Sequence, residues 1–199
     1  MSDLTVGDSV LSVDADGNFE FSPVILFLDR APEETRQFYV IKTASGHTVT
    51  LTPSHLIYAK FSDEEEDEDS EVTSSDFASS YASDVREGDF VLVMGPGGSL
   101  VPSRVISVET VVDSGVYAPL TARGNLVVDD VLASCYAQID SQETAHWAFA
   151  PMRLLWSLNL LPTDQVSTAQ HIGIHWFADK LYSVAEQVMP NRLWGTRTP

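Results

Sequence analysis

From residue 9 to about residue 139, apolar and polar positions alternate in short runs broken by Gly, Asp and Pro. A period of two is the mark of half-buried strands. It predicts strands at residues 9–13, 19–28, 37–43, 48–52, 56–61, 90–94, 100–112, 115–118, 125–128 and 133–139. Asp14-Ala15-Asp16-Gly17-Asn18 and Gly95-Pro96-Gly97-Gly98 read as the hairpin turns between them. After about residue 140 the period changes. Residues 151–161 form a short, nearly all-apolar segment with Pro151 placed for the first turn of a helix. Residues 173–189 carry Ile174, Phe177, Leu181, Val184 and Val188 at helical spacing before Pro190, with a polar linker at 163–171. The pattern therefore predicts a mostly β domain followed by a small helical C-terminal region.

The β part repeats itself. Gly7-Asp8-Ser9-Val10-Leu11 returns as Gly88-Asp89-Phe90-Val91-Leu92, Gly17 as Gly98, Ser22 as Ser103, and Val24-Ile25 as Val105-Ile106, all 81 residues apart. Two copies of one β unit point to a duplication about a pseudo-two-fold axis. The repeat is too long and too few to be a solenoid.

Composition narrows the function. The net charge of the 199-residue chain is −18, of which Asp63 to Asp69 supply −7, leaving −11. The chain has no basic patch with interleaved aromatics, so a nucleic-acid partner is not expected. Residues 62–83, acidic and then Ser-rich, are predicted to be a mobile, disordered loop. They lack the spaced loop glycines of a calcium site. The single Cys135 excludes an intrachain disulfide and a cysteine-based zinc site. The most apolar run, 147–161, is interrupted by Pro151, Arg153 and Asn159 and falls short of the roughly 20 residues that span a bilayer.

Candidate chemistry concentrates where strands end. Thr48-Val49-Thr50-Leu51-Thr52-Pro53-Ser54-His55 alternates to Leu51 and is stopped by Pro53, which has no N–H for a ladder. That leaves the Thr52 hydroxyl and the His55 imidazole three residues apart at a strand end, able to hydrogen-bond and protonate a distorted amide. On the residues alone, such a Thr-x-x-His is most often a turn with a satisfied histidine. Asp29-Arg30-Ala31-Pro32 by itself reads as an ordinary turn with a surface ion pair. Cys135 reads as a small buried hydrophobe in a strand.

Taken together, the segments resemble a known family: the C-terminal autoprocessing region of hedgehog proteins, a Hint (hedgehog/intein) domain followed by a sterol-recognition region. The resemblance rests on Val24-Ile25-Leu26-Phe27-Leu28-Asp29-Arg30, Thr52-Pro53-Ser54-His55-Leu56 and Tyr117-Ala118-Pro119-Leu120-Thr121. It continues through Val131-Leu132-Ala133-Ser134-Cys135-Tyr136-Ala137, Ala145-His146-Trp147-Ala148-Phe149-Ala150-Pro151 and Gly173-Ile174-His175-Trp176. It implies a Hint domain at 1–140 and a helical sterol-recognition region at 141–199. The last two segments are those that separate hedgehog from inteins.

The resemblance also implies a two-step reaction. A cysteine thiol attacks the preceding glycine carbonyl to give a thioester, and a cholesterol hydroxyl then displaces the thiol, releasing an N-terminal signalling domain as its cholesterol ester. It assigns His55 as general acid of the first step and Thr52 as its partner on the scissile peptide. Asp29 becomes the base of the second step, and Cys135 a residue near the nucleophile with an assisting or redox-sensitive role. No cofactor or metal is implied; cholesterol is the substrate. The implied partners are cholesterol, the signalling domain in cis and a membrane surface, and the implied location is the secretory pathway. His146, His175 and the apolar side chains Trp147, Phe149, Leu154, Leu155, Trp156, Ile174, Trp176, Phe177 and Leu181 either pack the helices or line a sterol groove. The family nucleophile falls some two dozen residues before the position of Gly7-Asp8, upstream of Met1. The expectation is therefore a fragment lacking its first strand and nucleophile, inactive alone. The alternative is a non-catalytic sterol- or protein-binding module on the same scaffold.

Overall fold

The computed structural model describes residues 1–62, 73, 76–137, 146–158, 160 and 173–174. Their elements, in chain order, are β1 (Ser9–Val13), β2 (Phe19–Thr43), β3 (Thr48–Leu51), β4 (His55–Lys60), β5 (Ala78–Tyr81), β6 (Phe90–Met94), β7 (Leu100–Thr121), β8 (Asn125–Val128), β9 (Val131–Ala137), α1 (Ala150–Ser157) and β10 (Gly173–Ile174). The strands run β1-β2-β7-β6-β4-β9-β8, with β3 and β10 added to β2 and β5 to β4. Every pairing is antiparallel.

The duplication expected from the sequence is visible in single hydrogen bonds. The Gly7 amide donates to the Val24 carbonyl and the Val24 amide to the Asp8 carbonyl, both at 2.8 Å. The Gly88 amide donates to Val105 at 2.9 Å and the Val105 amide to Asp89 at 2.7 Å. Both glycines sit at positive φ, 97° and 100°, a conformation that costs glycine least. The symmetry then continues at a different offset. Ala44 donates to Arg104 and Ala122 to Pro23, which makes the second halves of the copies 78 residues apart. The matching signal, Thr43-Ala44-x-Gly46 against Thr121-Ala122-x-Gly124, lies in the sequence but is invisible to a search at one offset. Val24 to Thr43 is three residues longer than its counterpart Val105 to Thr121, with which it pairs end to end. The surplus is taken up as register irregularities in β2, including those between Phe27 and Asp29 and between Ala31 and Thr35.

The core is in two main parts. Ile41, Val49, Ile57, Val91, Val93, Val105 and Val131 form one. Ile25, Leu28, Leu56, Leu120, Cys135 and Tyr136 form the other, joined by Phe149 and by Met152 of α1. Burying Phe149 fully contributes about 1.5–3 kcal/mol to holding that helix on the sheet.

Several expectations need correction. Residues 29–32 are not a turn but part of β2, because β7 pairs with the chain on both sides of the irregularity. The stretches 100–112 and 115–118 are one strand, β7. The expected loop 62–83 contains β5, whose backbone pairs with β4; the acidic run itself lies outside the described residues. The segment beginning at Gly173 opens as strand β10, since its backbone pairs with Asp29 and Arg30 of β2. The rest of the helix expected there lies outside the described residues, as do His175, Trp176, Phe177 and Leu181. The helix expected at 151–161 is present as α1, with Pro151 in its first turn.

Candidate functional site

β3 stops at Leu51, and the turn Thr52-Pro53-Ser54-His55 is closed by the His55 amide donating to the Thr52 carbonyl at 3.0 Å. His55 opens β4 opposite Ala137, with an irregularity before Ile57 meets Ala133. Its Nε2 lies 2.8 Å from the Ser134 carbonyl oxygen. A carbonyl only accepts, so Nε2 carries the hydrogen and Nδ1 is the nitrogen that gains or loses a proton. Burial pushes the imidazole below its ordinary value, and the Ser134 bond offsets only part of that. The ring is accordingly neutral at pH 7, with Nδ1 an acceptor.

Asp29 sits in β2 beyond the first irregularity, its side chain 15% exposed. One carboxylate oxygen, Oδ2, is 3.1 Å from Arg36 Nη1. The other, Oδ1, is buried with no hydrogen-bond partner among the described residues. A buried acceptor without a partner costs about 1–3 kcal/mol, so it asks for a role. The surface ion pair expected between Asp29 and Arg30 does not exist. Arg30 instead donates to the carbonyls of Leu4 (2.9 Å) and Ser2 (2.8 Å) and lies over the rings of Phe27 and Tyr117.

Cys135 is 1% exposed, with the Thr121 amide 3.4 Å and the Thr121 hydroxyl 3.5 Å from its sulfur. Burial pushes the thiol up to about 11, so it is protonated at neutral pH and not a resting nucleophile.

Asp29, Thr52, His55 and Cys135 line one cavity of about 300 Å³, together with Arg36, Met1 and an apolar wall that includes Leu28, Phe38, Leu51, Val116 and Leu126. The structure thus gathers all four candidates, drawn from β2, the β3–β4 turn and β9. Among the described residues no group of three His, Cys, Asp or Glu is placed to hold a metal ion. No helix among them is long and apolar enough to cross a membrane.

Two features were missed from the sequence. Arg36 is seven residues from Asp29, a separation that no strand period brings together. A polar cluster beside Cys135 was also missed: Arg153 Nη1 donates to the Tyr136 hydroxyl at 3.0 Å, and that oxygen lies 3.1 Å from His146 Nδ1. Since arginine only donates, the hydroxyl accepts from it and shares a second hydrogen bond with His146. Burial, and then the nearby Arg153 charge, push His146 down to about 4. Tyr136 also stacks on Phe149 at 5.6 Å. His146 and Phe149 therefore fasten the C-terminal region to the strand that bears Cys135. Of the apolar side chains there, Phe149 is buried, whereas Trp147, Leu154 and Leu155 face outward. His47 has Nδ1 3.6 Å from Asp130 Oδ2, across to the β8–β9 turn.

Comparison with known proteins agrees with this layout. The family model of the Hint module matches residues 1–190. Protein hedgehog of Drosophila virilis is 42% identical over 96% of this chain and 40% of its own length. Protein hedgehog of Drosophila melanogaster is 41% identical over 96% of this chain and 41% of its own length. The match falls in the C-terminal region of these relatives, and the chain spans about two fifths of their length. Among solved structures, the crystal structure of a mutant of the Ssp DnaB mini-intein superposes with a TM-score of 0.52 at 10% identity, covering 70% of this chain and 81% of that one. At that identity the likeness speaks to fold alone.

Proposed function

The chain belongs to the Hint family, and on that premise we propose that it is the autoprocessing region of a hedgehog-type precursor, which cleaves through an internal thioester and passes the N-terminal signalling domain to cholesterol. The observation that carries this reading is the convergence of Asp29, Thr52 and His55 on one cavity. In this reading Cys135, held as a buried, protonated thiol, is not the nucleophile.

In the first step the sulfur–carbon bond forms and the carbon–nitrogen bond breaks. His55, neutral at rest, accepts the thiol proton at Nδ1 and delivers it to the departing nitrogen, while its Nε2–H stays on Ser134. Thr52 supplies the hydroxyl that holds the scissile peptide. In the second step the sterol oxygen–carbon bond forms as the carbon–sulfur bond breaks. Asp29 takes the hydroxyl proton, and the departing thiolate is reprotonated from solvent. No electron changes hands in either step. The apolar wall of the cavity suits a rigid hydrocarbon with one hydroxyl. Passage through the secretory pathway and contact with a membrane surface, where cholesterol resides, belong to the same proposal.

The test is a precursor in which a reporter domain and an upstream segment carrying Gly-Cys-Phe precede this chain. Thiol should release the reporter, and cholesterol should release it sterol-modified. His55→Ala should slow thiol-driven release by about 10²–10⁴-fold. Asp29→Ala should suppress the sterol product alone. A precursor that folds yet responds to neither reagent would overturn the proposal, and sterol binding without cleavage would favour a non-catalytic module.

A further inference from the structure

We infer that Arg36 is a positioning residue for the sterol-dependent step, acting through Asp29; the inference rests on the function proposed above. Arg36 holds Oδ2 of Asp29 through Nη1 at 3.1 Å. Its remaining nitrogens are engaged on Glu34, Nε on Oε1 at 2.8 Å and Nη2 on Oε2 at 2.9 Å, a forked pairing that fixes the plane of the guanidinium. Arg36 is therefore a bracket with Glu34 on one arm and Asp29 on the other. With Oδ2 tied, the carboxylate cannot turn, and Oδ1, buried and without a partner, is the oxygen left to receive a proton. Both Asp29 and Arg36 line the cavity.

This bracket exists because the two halves of the fold differ in length. Between Ala31 and Thr35, β2 advances four residues while β7 advances two, from Val116 to Ser114. The surplus folds β2 so that residue 36 reaches back to residue 29. The shorter second copy lacks that surplus. The asymmetry of the duplication thus falls beside the proposed base.

A base that must meet a weakly acidic hydroxyl depends on orientation, and misplacement by about 1 Å can cost on the order of 10²-fold. In the precursor, Arg36→Gln should lower the sterol-dependent rate about 10–100-fold. Thiol-driven release, which does not use Asp29, should hold to within about threefold. Arg36→Lys restores the charge but not the fork, so it should regain only part of the rate. Equal loss in both steps, or no change in the sterol step, would overturn the assignment. A wild-type precursor that reacts with neither reagent would sink the reaction itself. The Arg36 bracket is then still decided in this chain by carbon-13 NMR of the Asp29 carboxyl. Arg36→Gln should move that resonance, and an unmoved signal would refute the bracket.

Discussion

The Arg153–Tyr136–His146 cluster ties the C-terminal region to the sheet and makes that attachment sensitive to acid. Tyr136→Phe removes one hydroxyl while keeping the ring on Phe149. Lost with it are a bond from a charged donor, about 1.5–3 kcal/mol, and one with a neutral imidazole, about 0.5–1.5 kcal/mol. Arg153 and His146 are only partly buried, so water replaces part of this, and a net loss of about 2 kcal/mol is expected. For a chain of this size that lowers Tm by about 4–8 °C. The pH dependence has its own sign. His146 is pushed from 6.5 down to about 4, so between those values the unfolded chain binds a proton that the folded one refuses. Stability carried by the neutral ring is therefore complete above about 6.5 and drains away as pH falls toward about 4. A sealed ring would give roughly 3 kcal/mol, but this one is about half open to solvent and screened, so about 1 kcal/mol is expected. Thermal melts by circular dichroism at about pH 7 and about pH 4.5 would compare wild type, Tyr136→Phe and His146→Phe. Tyr136→Phe should keep the acid loss that desolvation of His146 causes, and His146→Phe should remove it. If His146→Phe loses as much stability on acidification as wild type, the reasoning is wrong.

Two further outcomes follow from the same region. A Cβ at Gly124 would collide with His146 Nδ1, at a φ of 81°. Gly124→Ala should cost about 2–4 kcal/mol by urea denaturation, falling to about 1–2 kcal/mol in a His146→Ala background, where the backbone strain and a tight contact with the Tyr136 hydroxyl are left. An unchanged penalty in the double variant would mean that the clash is not with His146. Cys135, with its thiol pushed up from 9.0 to about 11, should react with maleimide about 100-fold more slowly in the native chain than in urea, from ionisation alone. Equal rates in both conditions would show the sulfur to be accessible and ionised.

Much of the fold was legible as pattern. Period-two alternation located nearly every strand, since each has one face toward a core and one away from it. It misread several places. At 29–32, turn-forming residues sit inside β2, because pairing with β7 outweighs local preference. At 78–81 a Ser-rich stretch with no apolar alternation is a strand, because β4 offers it backbone partners. Gly173 and Ile174 likewise sit in a helical pattern yet pair with β2. The duplication was legible at an offset of 81 and lost at 78, because a three-residue surplus in β2 breaks the register.

The candidate site divides in the same way. Thr52 and His55 could be read because Pro53, for want of an N–H, must end a ladder beside them; that is local covalent chemistry. Asp29 and Cys135 looked like a turn residue and a core filler until resemblance singled them out. What sequence alone determined was the class of fold, the doubling and the Thr52–His55 strand end, each set by interactions between near neighbours. Only the tertiary structure decided which nitrogen of His55 titrates, which oxygen of Asp29 has no partner among the described residues, that Arg36 lines the candidate site and that Tyr136 ties the C-terminal region to the sheet. Those depend on Ser134, Arg36, His146 and Arg153 arriving from elsewhere in the chain, and the spacing of residues along a strand carries no record of what packs across it.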